Sequence, residues 1–179
     1  IIVLLNACNT GDVIVWQLGL KDNSSNEFAL SPDDYKLFLK NDFGWEDRFF
    51  LIGNSDPATD WPYVLPGPSD QWGGTWSTSG WRSHTLNILF GLKGPAHKSS
   101  GKLTLGILDI NSSDPPLLKV TLNGKSYKYR PPGGSGKKSP EGEEIPVSDI
   151  TFEIAFEKGI LKEEGNEINI TSLEGSWLI

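Results

Sequence analysis

The sequence has no methionine, a single cysteine and two histidines among its 179 residues. The missing initiator methionine leads us to expect a piece of a longer polypeptide. One cysteine excludes a disulfide framework within the chain and a zinc site built from several cysteines. Two histidines, His84 and His97, leave little material for a three-histidine metal site. The scarcity of these residues therefore excludes the commonest disulfide-rich and zinc-binding architectures.

Positive charge and long apolar runs are also scarce. The 16 Lys and Arg residues face 23 Asp and Glu residues, which gives a net charge of −7. Such a chain repels phosphate backbones, and we expect no nucleic-acid partner. No apolar run approaches the roughly 18–20 residues that span a bilayer. The length and the 37% hydrophobic content fit one globular domain.

The first twelve residues fit two interpretations. An apolar run ends in Leu5-Asn6-Ala7-Cys8, which resembles the end of a bacterial lipoprotein signal peptide with Cys8 as the lipidated residue. The alternative is a buried first strand in which Cys8 is a small core residue. We expect residues 1–12 to be the end of a truncated signal peptide and a linker. This expectation places the protein in the bacterial cell envelope, either secreted or bound to the membrane through a lipid anchor at Cys8.

Residues 13–179 contain short segments of alternating apolar and polar residues, a pattern typical of β-strands. The alternation is clearest in Asp149–Glu157, and Asn123-Gly124 fits a type I′ turn between two strands. The segment Ser31–Asp34 predicts one helix of about two turns through Phe38, with Ser31 as its N-cap. We therefore predict an all-β protein, a two-sheet β-sandwich of jelly-roll type with one short helix. The other predicted strands are Val13–Leu20, Arg48–Ile52, Thr85–Leu92, Lys102–Ile110, Leu118–Leu122, Lys125–Arg130 and Glu167–Leu173.

Residues 54–84, here called the tryptophan loop, hold four of the seven tryptophans. An aromatic ring packs against the C–H face of a sugar while polar side chains bond its hydroxyls, so this pattern predicts a carbohydrate site. We expect Trp72 and Trp76 to be presented to ligand, and Trp61 and Trp81 to be packed. In a second interpretation all four rings form a small core beneath the loop. The candidate ligand-binding residues are Asp60, Trp61, Tyr63, Asp70, Gln71, Trp72, Trp76, Trp81 and Arg82.

The sequence contains no nucleophile elbow, zinc-protease or phosphate-loop motif. His84 with Arg82 has the chemistry for proton abstraction in a lyase, but a polar pair at the start of a strand is the simpler interpretation. The pair Asp33-Asp34 and the cluster Asp109, Asn111 and Asp114 are candidates for a structural calcium ion, although a helix start and a turn also explain them. We assign no catalytic residue and no cofactor to this chain. Trp16 and Trp177, which have strand neighbours, are expected in the core.

Four segments together resemble a known family. They are similar to the galactose-binding-like jelly roll at the end of the rhamnogalacturonan lyases of polysaccharide lyase family four, and the resemblance covers most of residues 14–179. In that family the catalytic residues lie in a separate domain. The segments that carry the resemblance are Trp16–Asn23, Ser100–Leu105, Leu118–Gly124 and Ile160–Thr171.

The resemblance implies a carbohydrate-binding accessory module of a polysaccharide-degrading envelope protein. Its implied partners are a polysaccharide or oligosaccharide and a catalytic domain of the same polypeptide outside this sequence. The alternative is a fragment of a polysaccharide lyase or glycoside hydrolase in which this domain is a structural spacer or contributes to catalysis.

Overall fold

The two-sheet β-sandwich predicted from the alternation is confirmed. The computed structural model describes residues 1–8, 12–43, 48–74, 84–94, 98–132 and 150–179. Within them, the strands are β1 (Ile2–Cys8), β2 (Asp12–Leu18), β3 (Arg48–Leu51), β4 (Thr85–Phe90), β5 (Ser100–Ile107), β6 (Leu117–Leu122), β7 (Lys125–Tyr129), β8 (Ile150–Phe156) and β9 (Asn166–Glu174). They form a four-stranded sheet with the order β2-β1-β5-β8 and a five-stranded sheet with the order β3-β4-β9-β6-β7.

The core contains the apolar residues that alternate along the strands. On β4, the alternate apolar residues Leu86, Ile88 and Phe90 are all buried. Full burial of an aliphatic or aromatic side chain of this size contributes about 1.5–3 kcal/mol. Tyr129 on β7 and Phe152 on β8 stack with their ring centroids 4.3 Å apart, so an edge strand of one sheet contacts an edge strand of the other. The alternation thus determines which face of each sheet is buried.

The N-terminal segment is an integral strand of the sandwich. β1 pairs antiparallel with β2 on one side and with β5 on the other. Its alternate residues Val3 and Leu5 are buried between the sheets. The structure thus places residues 1–8 in the sandwich, as in the buried-strand alternative, and processing before Cys8 would remove most of β1. Lipidation at Cys8 stays a prediction.

The alternation in Val13–Leu20 predicts that Ile14, Trp16 and Leu18 share one face of the strand, but the structure separates Ile14 from the other two. The pairing of β1 with β2 shifts register between Leu5 and Asn6, because Leu5 opposes Trp16 whereas Asn6 opposes Ile14. The extra residue, Val15, forms a β-bulge that breaks the alternation. Trp16 is therefore buried as predicted, while the side chain of Ile14 is 56% exposed.

The helical segments are shorter than the sequence indicates. The helix predicted to run through Phe38 is a single 3-10 turn, Asp34–Leu37, because Asp33 has φ −138° and lies outside the helical region. A short α-helix that the prediction missed, α1, covers Pro57–Asp60, and its N-cap Asp56 accepts a hydrogen bond from the Ala58 N–H at 3.0 Å. Among the described residues no helix has the length and apolar character needed to cross a membrane.

Candidate functional site

A cavity of about 430 Å³ forms where four distant segments of the chain meet. Its size lies within the range of small-molecule sites in proteins. Its lining combines aromatic rings with carboxylates, a combination that suits the apolar face and the hydroxyl groups of a sugar. The lining residues are Asp33, Tyr35, Tyr63, Val64, Asp70, Trp72, Asp109, Trp177 and Ile179.

Short backbone pairings bring these segments together. Leu178 pairs with Leu65 on one side and with Ile110 on the other. The Leu65 N–H donates to the Leu178 carbonyl at 2.9 Å, and the Leu178 N–H donates back at 3.1 Å. Because neighbours of these three residues line the cavity, the pairing brings the tryptophan loop, the segment after β5 and the C-terminal segment into one wall.

The Trp72 ring is held by other aromatic rings. It lies edge to face with Tyr35 at a centroid distance of 5.0 Å and with Phe38 at 5.8 Å. Trp72 is half-buried on a 3-10 turn, Gln71–Gly73, that directly follows Asp70. Trp177 is also half-buried rather than fully in the core as predicted. Rings held in this way lose little conformational entropy when a ligand binds.

Asp70 fixes the position of this wall. Its buried carboxylate accepts hydrogen bonds from the Gly67 N–H at 2.8 Å and from the Ser176 hydroxyl at 2.6 Å. The Trp72 side chain also bonds to it. Burial raises the pKa of the Asp70 carboxyl, and the charge of Asp114 raises it further, against the lowering effect of these hydrogen bonds. The carboxylate therefore joins the tryptophan loop to the C-terminal segment.

Two other titratable groups of the lining are also harder to ionise than usual. Burial raises the pKa of the Tyr63 hydroxyl, and the negative charge of Asp33 adds to the shift. Burial likewise raises the pKa of the Asp109 carboxyl, against a hydrogen bond that its Oδ1 accepts from the Ile110 N–H at 2.8 Å. The cavity is thus an environment that disfavours additional negative charge.

The structure brings three of the predicted ligand-binding residues together, since Tyr63, Asp70 and Trp72 all line the cavity. Trp61 does not, because its ring is fully buried against Phe50 and its indole N–H donates to the Ile1 carbonyl at 3.3 Å. No face of Trp61 is open to a sugar, which agrees with its expected packed role.

Asp60 and Gln71, two further predicted site residues, do not line the cavity. The Asp60 carboxylate accepts hydrogen bonds from the Asp56 N–H at 2.9 Å and from the Thr59 hydroxyl at 3.2 Å, so it stabilises α1 and is not part of the lining. Gln71 is exposed and also outside the lining. The other three predicted residues fall outside the described part of the chain; they are Trp76, Trp81 and Arg82.

His84 is buried beneath this wall. Its side chain is 2% exposed, its Nε2 donates to the Gly73 carbonyl, and its ring lies 5.6 Å from that of Phe38. A substrate has no access to the ring, so His84 is a packing residue here rather than a base for proton abstraction. His97 falls outside the described residues.

The cluster Asp109, Asn111 and Asp114, one of the two acidic groups considered for calcium, makes other contacts in the structure. Asn111 Oδ1 accepts hydrogen bonds from the backbone N–H groups of Ser113 and Asp114, which closes a turn. The Asp114 carboxylate accepts a hydrogen bond from the Ser69 hydroxyl at 2.7 Å. In the described ranges, no group of three or more His, Cys, Asp or Glu side chains is arranged to hold a metal ion.

Comparison with protein families identifies the module. Residues 14–178 match the CBM-like domain III of polysaccharide lyase family 4. The matched range contains every residue of the cavity lining except Ile179, whereas β1 lies before it. A search of curated proteins finds no match. Because the match spans nearly the whole sandwich, the chain belongs to the CBM-like domain III family of polysaccharide lyase family 4.

Proposed function

We propose that this chain is a carbohydrate-binding accessory module that holds a glycan in the cavity between Trp72 and Trp177. The observation that carries the proposal is the convergence of aromatic rings and carboxylates in one cavity of about 430 Å³. Membership of a CBM-like family supports the same activity.

The lining offers both kinds of contact that a sugar needs. The half-buried Trp72 and Trp177 rings provide apolar surface for the C–H face of a sugar. Asp33 is exposed and Asp109 is half-buried, so both can accept hydrogen bonds from hydroxyl groups. The described hydrogen bonds engage only one oxygen of Asp109, which leaves the other for a ligand. Both Asp70 oxygens accept protein hydrogen bonds, so Asp70 serves to position the wall.

A binding module of this kind would act by raising the local concentration of the polymer near a catalytic domain. A catalytic domain in the same polypeptide would meet a polymer held by this cavity at a high effective concentration, and no catalytic residue is then required in this chain. This role agrees with the absence of a recognised catalytic motif from the sequence.

Affinity gel electrophoresis tests the proposal. We expect the chain to migrate more slowly in gels that contain a bound polysaccharide, drawn from a panel of pectic and other plant and algal glycans. Trp177→Ala should restore free migration while the thermal unfolding transition stays cooperative. Phe49→Ala is a matched control, because Phe49 is 58% exposed on β3 and lies outside the cavity lining. Unchanged mobility of the wild type in every gel would contradict the proposal.

A structural spacer is the second candidate, and one observation favours it. Trp61 is fully buried and Trp72 packs on Tyr35 and Phe38, so part of the aromatic content stabilises the loop. For a spacer, Trp177→Ala would lower the unfolding temperature and would change no mobility in any gel. The two candidates therefore differ in a single experiment.

A further inference from the structure

A groove lies on the outer face of the four-stranded sheet, and it is here called the outer-face groove. Its volume is about 190 Å³, and its lining shares no residue with the cavity of the proposed function. Ile2 and Leu4 of β1 and Thr104 and Gly106 of β5 belong to the lining. Along each strand these residues alternate with buried ones, so they face away from the core.

Much of the groove lining is apolar, whereas the solvated face of an antiparallel sheet is usually polar. Ile2 and Leu4 are half-buried, and Ile14 on the neighbouring strand β2 is 56% exposed. Leu108 and Ile150 add further apolar surface to the lining. Apolar side chains gathered in one depression are a feature of binding grooves, because covering them removes apolar surface from water.

Gly106 lies in the middle of this face, and the fold does not require a glycine there. Its partners across the sheet are Ile2 on β1 and Thr151 on β8. A Cβ added at Gly106 would lie 3.4 Å from the Ile2 Cβ, a van der Waals contact, and its φ is outside the left-handed region. At Gly101 on the same strand, an added Cβ would lie 2.2 Å from the Asn6 carbonyl oxygen. Packing thus explains Gly101 but not Gly106, and a strand glycine often marks the close approach of a ligand.

The polar part of the lining contains a cation. Lys21, in the segment after β2, is the one charged side chain among the described residues of the lining. It is exposed and takes part in no ion pair that the described residues form. Gln17, Asn23 and Thr151 contribute uncharged polar atoms. In a chain with a net charge of −7, a cation beside an apolar depression indicates a ligand that has a negative group.

We propose that the outer-face groove binds small amphiphilic carboxylates of the short- and medium-chain fatty acid type. The hydrocarbon chain occupies the space above Gly106 against Ile2 and Leu4, and the carboxylate pairs with the Lys21 ammonium. The groove is smaller than most small-molecule sites, which have roughly 300–1,000 Å³, so it fits one short chain. Its described lining contains no aromatic ring on which a sugar could stack, which favours an aliphatic ligand over a second glycan.

A series of ligands of increasing chain length tests the apolar contact. The full chain is titrated with butyrate, hexanoate and octanoate and followed by proton–nitrogen correlation NMR. We expect saturable shifts of the backbone amides of residues 104–108 and of Thr151. The affinity should rise about threefold with each added methylene group, because each one buries more apolar surface. Hexanol, which has the chain of hexanoate without its charge, should bind about threefold more weakly than hexanoate.

Variants of two lining residues locate the binding. Gly106→Leu fills the groove and should abolish the shifts with every ligand. Gly106→Ala adds only a Cβ for which there is space, so it should weaken octanoate binding at least about threefold without lowering the urea midpoint of unfolding. Lys21→Gln should lower the affinity for hexanoate to that for hexanol and leave hexanol binding unchanged. Lys158→Gln, at an exposed residue outside the lining, is the matched control and should bind hexanoate like the wild type.

Three results would overturn the proposal. They are an octanoate titration without saturable shifts at the groove, undiminished octanoate binding by both Gly106 variants, and equal affinities of the wild type for hexanoate and hexanol. None of them bears on glycan binding, because the outer-face groove and the Trp72 cavity have no lining residue in common.

Discussion

Two buried polar side chains hold irregular segments onto this sandwich, and they do so with different chemistry. Asn166 is 1% exposed, and its amide group donates to the Phe90 and Lys162 carbonyls while it accepts from the Lys162 N–H and from Asn123. Asp70 is 7% exposed and accepts from Gly67, Ser176 and Trp72. One residue is neutral with its donors and acceptors matched, and the other is a charged group that only accepts.

The difference between a buried neutral amide and a buried carboxylate points to Asp70, rather than Asn166, as the position near a functional site. A neutral amide can satisfy backbone groups without the cost of burying a charge, so a role limited to stability is sufficient to explain Asn166. A buried carboxylate carries a desolvation cost, which appears as the raised pKa of Asp70. Asp70 also lines the cavity, whereas Asn166 does not. A carboxyl group with a raised pKa and a cavity thus occur together at Asp70 and not at Asn166.

We expect the largest loss of stability when a side chain is added at Gly67, where the tryptophan loop packs closely on the C-terminal segment. In Gly67→Ala, the added Cβ would lie 2.2 Å from the Gly175 carbonyl oxygen and 2.5 Å from that of Ser176, both of them rigid backbone atoms. We expect a loss of about 4 kcal/mol or more in the free energy of unfolding, measured with urea. Gly91→Ala is the control, because its added Cβ would lie 3.7 Å from the Glu163 carbonyl oxygen, an ordinary van der Waals distance. Equal stability of the two variants would contradict the close approach.

Removing the neutral Asn166 side chain should cause the second largest loss of stability. Asn166→Leu removes the acceptor of the Lys162 N–H, one of the two acceptors of the Asn123 amide, and the donor that serves the Phe90 and Lys162 carbonyls. We therefore expect a loss of about 3 kcal/mol in the free energy of unfolding. The same substitution at the exposed Asn54 should change stability little. A cost below about 1 kcal/mol at Asn166 would show that water replaces these hydrogen bonds.

Removing the charged group should cost less than removing the neutral one. Asp70→Ala leaves three donors unpaired but also removes a buried charge, and the two effects oppose each other. We expect a loss of about 2 kcal/mol in the free energy of unfolding, together with weaker glycan retardation because Trp72 loses its anchor. A greater loss of stability for Asp70→Ala than for Asn166→Leu would reverse the comparison.

The smallest expected effect is a dependence of stability on pH, which the Asp70 carboxyl contributes and the Asn166 amide does not. The ordinary pKa of an aspartate is about 3.8, and burial raises that of Asp70 in the folded protein. As the pH falls through the raised pKa toward 3.8, the folded state binds the proton first, so Asp70 contributes increasing stability. Above the raised pKa the cost of the buried charge is present in full.

Urea unfolding of the wild type and Asp70→Asn between pH 7 and pH 4 measures this contribution. The variant has no carboxyl to titrate at position 70, so the stability of the wild type relative to the variant should increase as the pH is lowered. A difference that is constant with pH, or that changes in the opposite direction, would show that the pKa of Asp70 is not raised.

Alternation along the sequence was sufficient to predict most of the fold, because period-two burial is a local property. The strand predicted for Asp149–Glu157 is Ile150–Phe156 in the structure, and Thr85–Leu92 contains β4. The prediction failed where the periodicity itself breaks, at the Val15 bulge, because pairing with β1 and not local sequence determines where an extra residue is accommodated.

The site was only partly predictable, for a related reason. Tyr63, Asp70 and Trp72 were found because they are concentrated in one aromatic segment. The sequence indicates a turn or a calcium cluster for Asp109 and a core position for Trp177, and neither pattern points to the cavity that both residues line. Only the long-range pairing of Leu178 with two other segments places them in the same cavity, and a single sequence contains no signal for that pairing.

Because the cavity is assembled from four distant segments, a glycan bound there as proposed would bind only the folded protein. Residues between Asp33 and Ile179 surround it, so an unfolded or partly folded chain has no equivalent surface. A glycan present at 100 times its dissociation constant would therefore raise the free energy of unfolding by about 2.7 kcal/mol. That gain is comparable with the loss expected for Asp70→Ala. An excess of the glycan would therefore offset the loss of stability that this substitution causes.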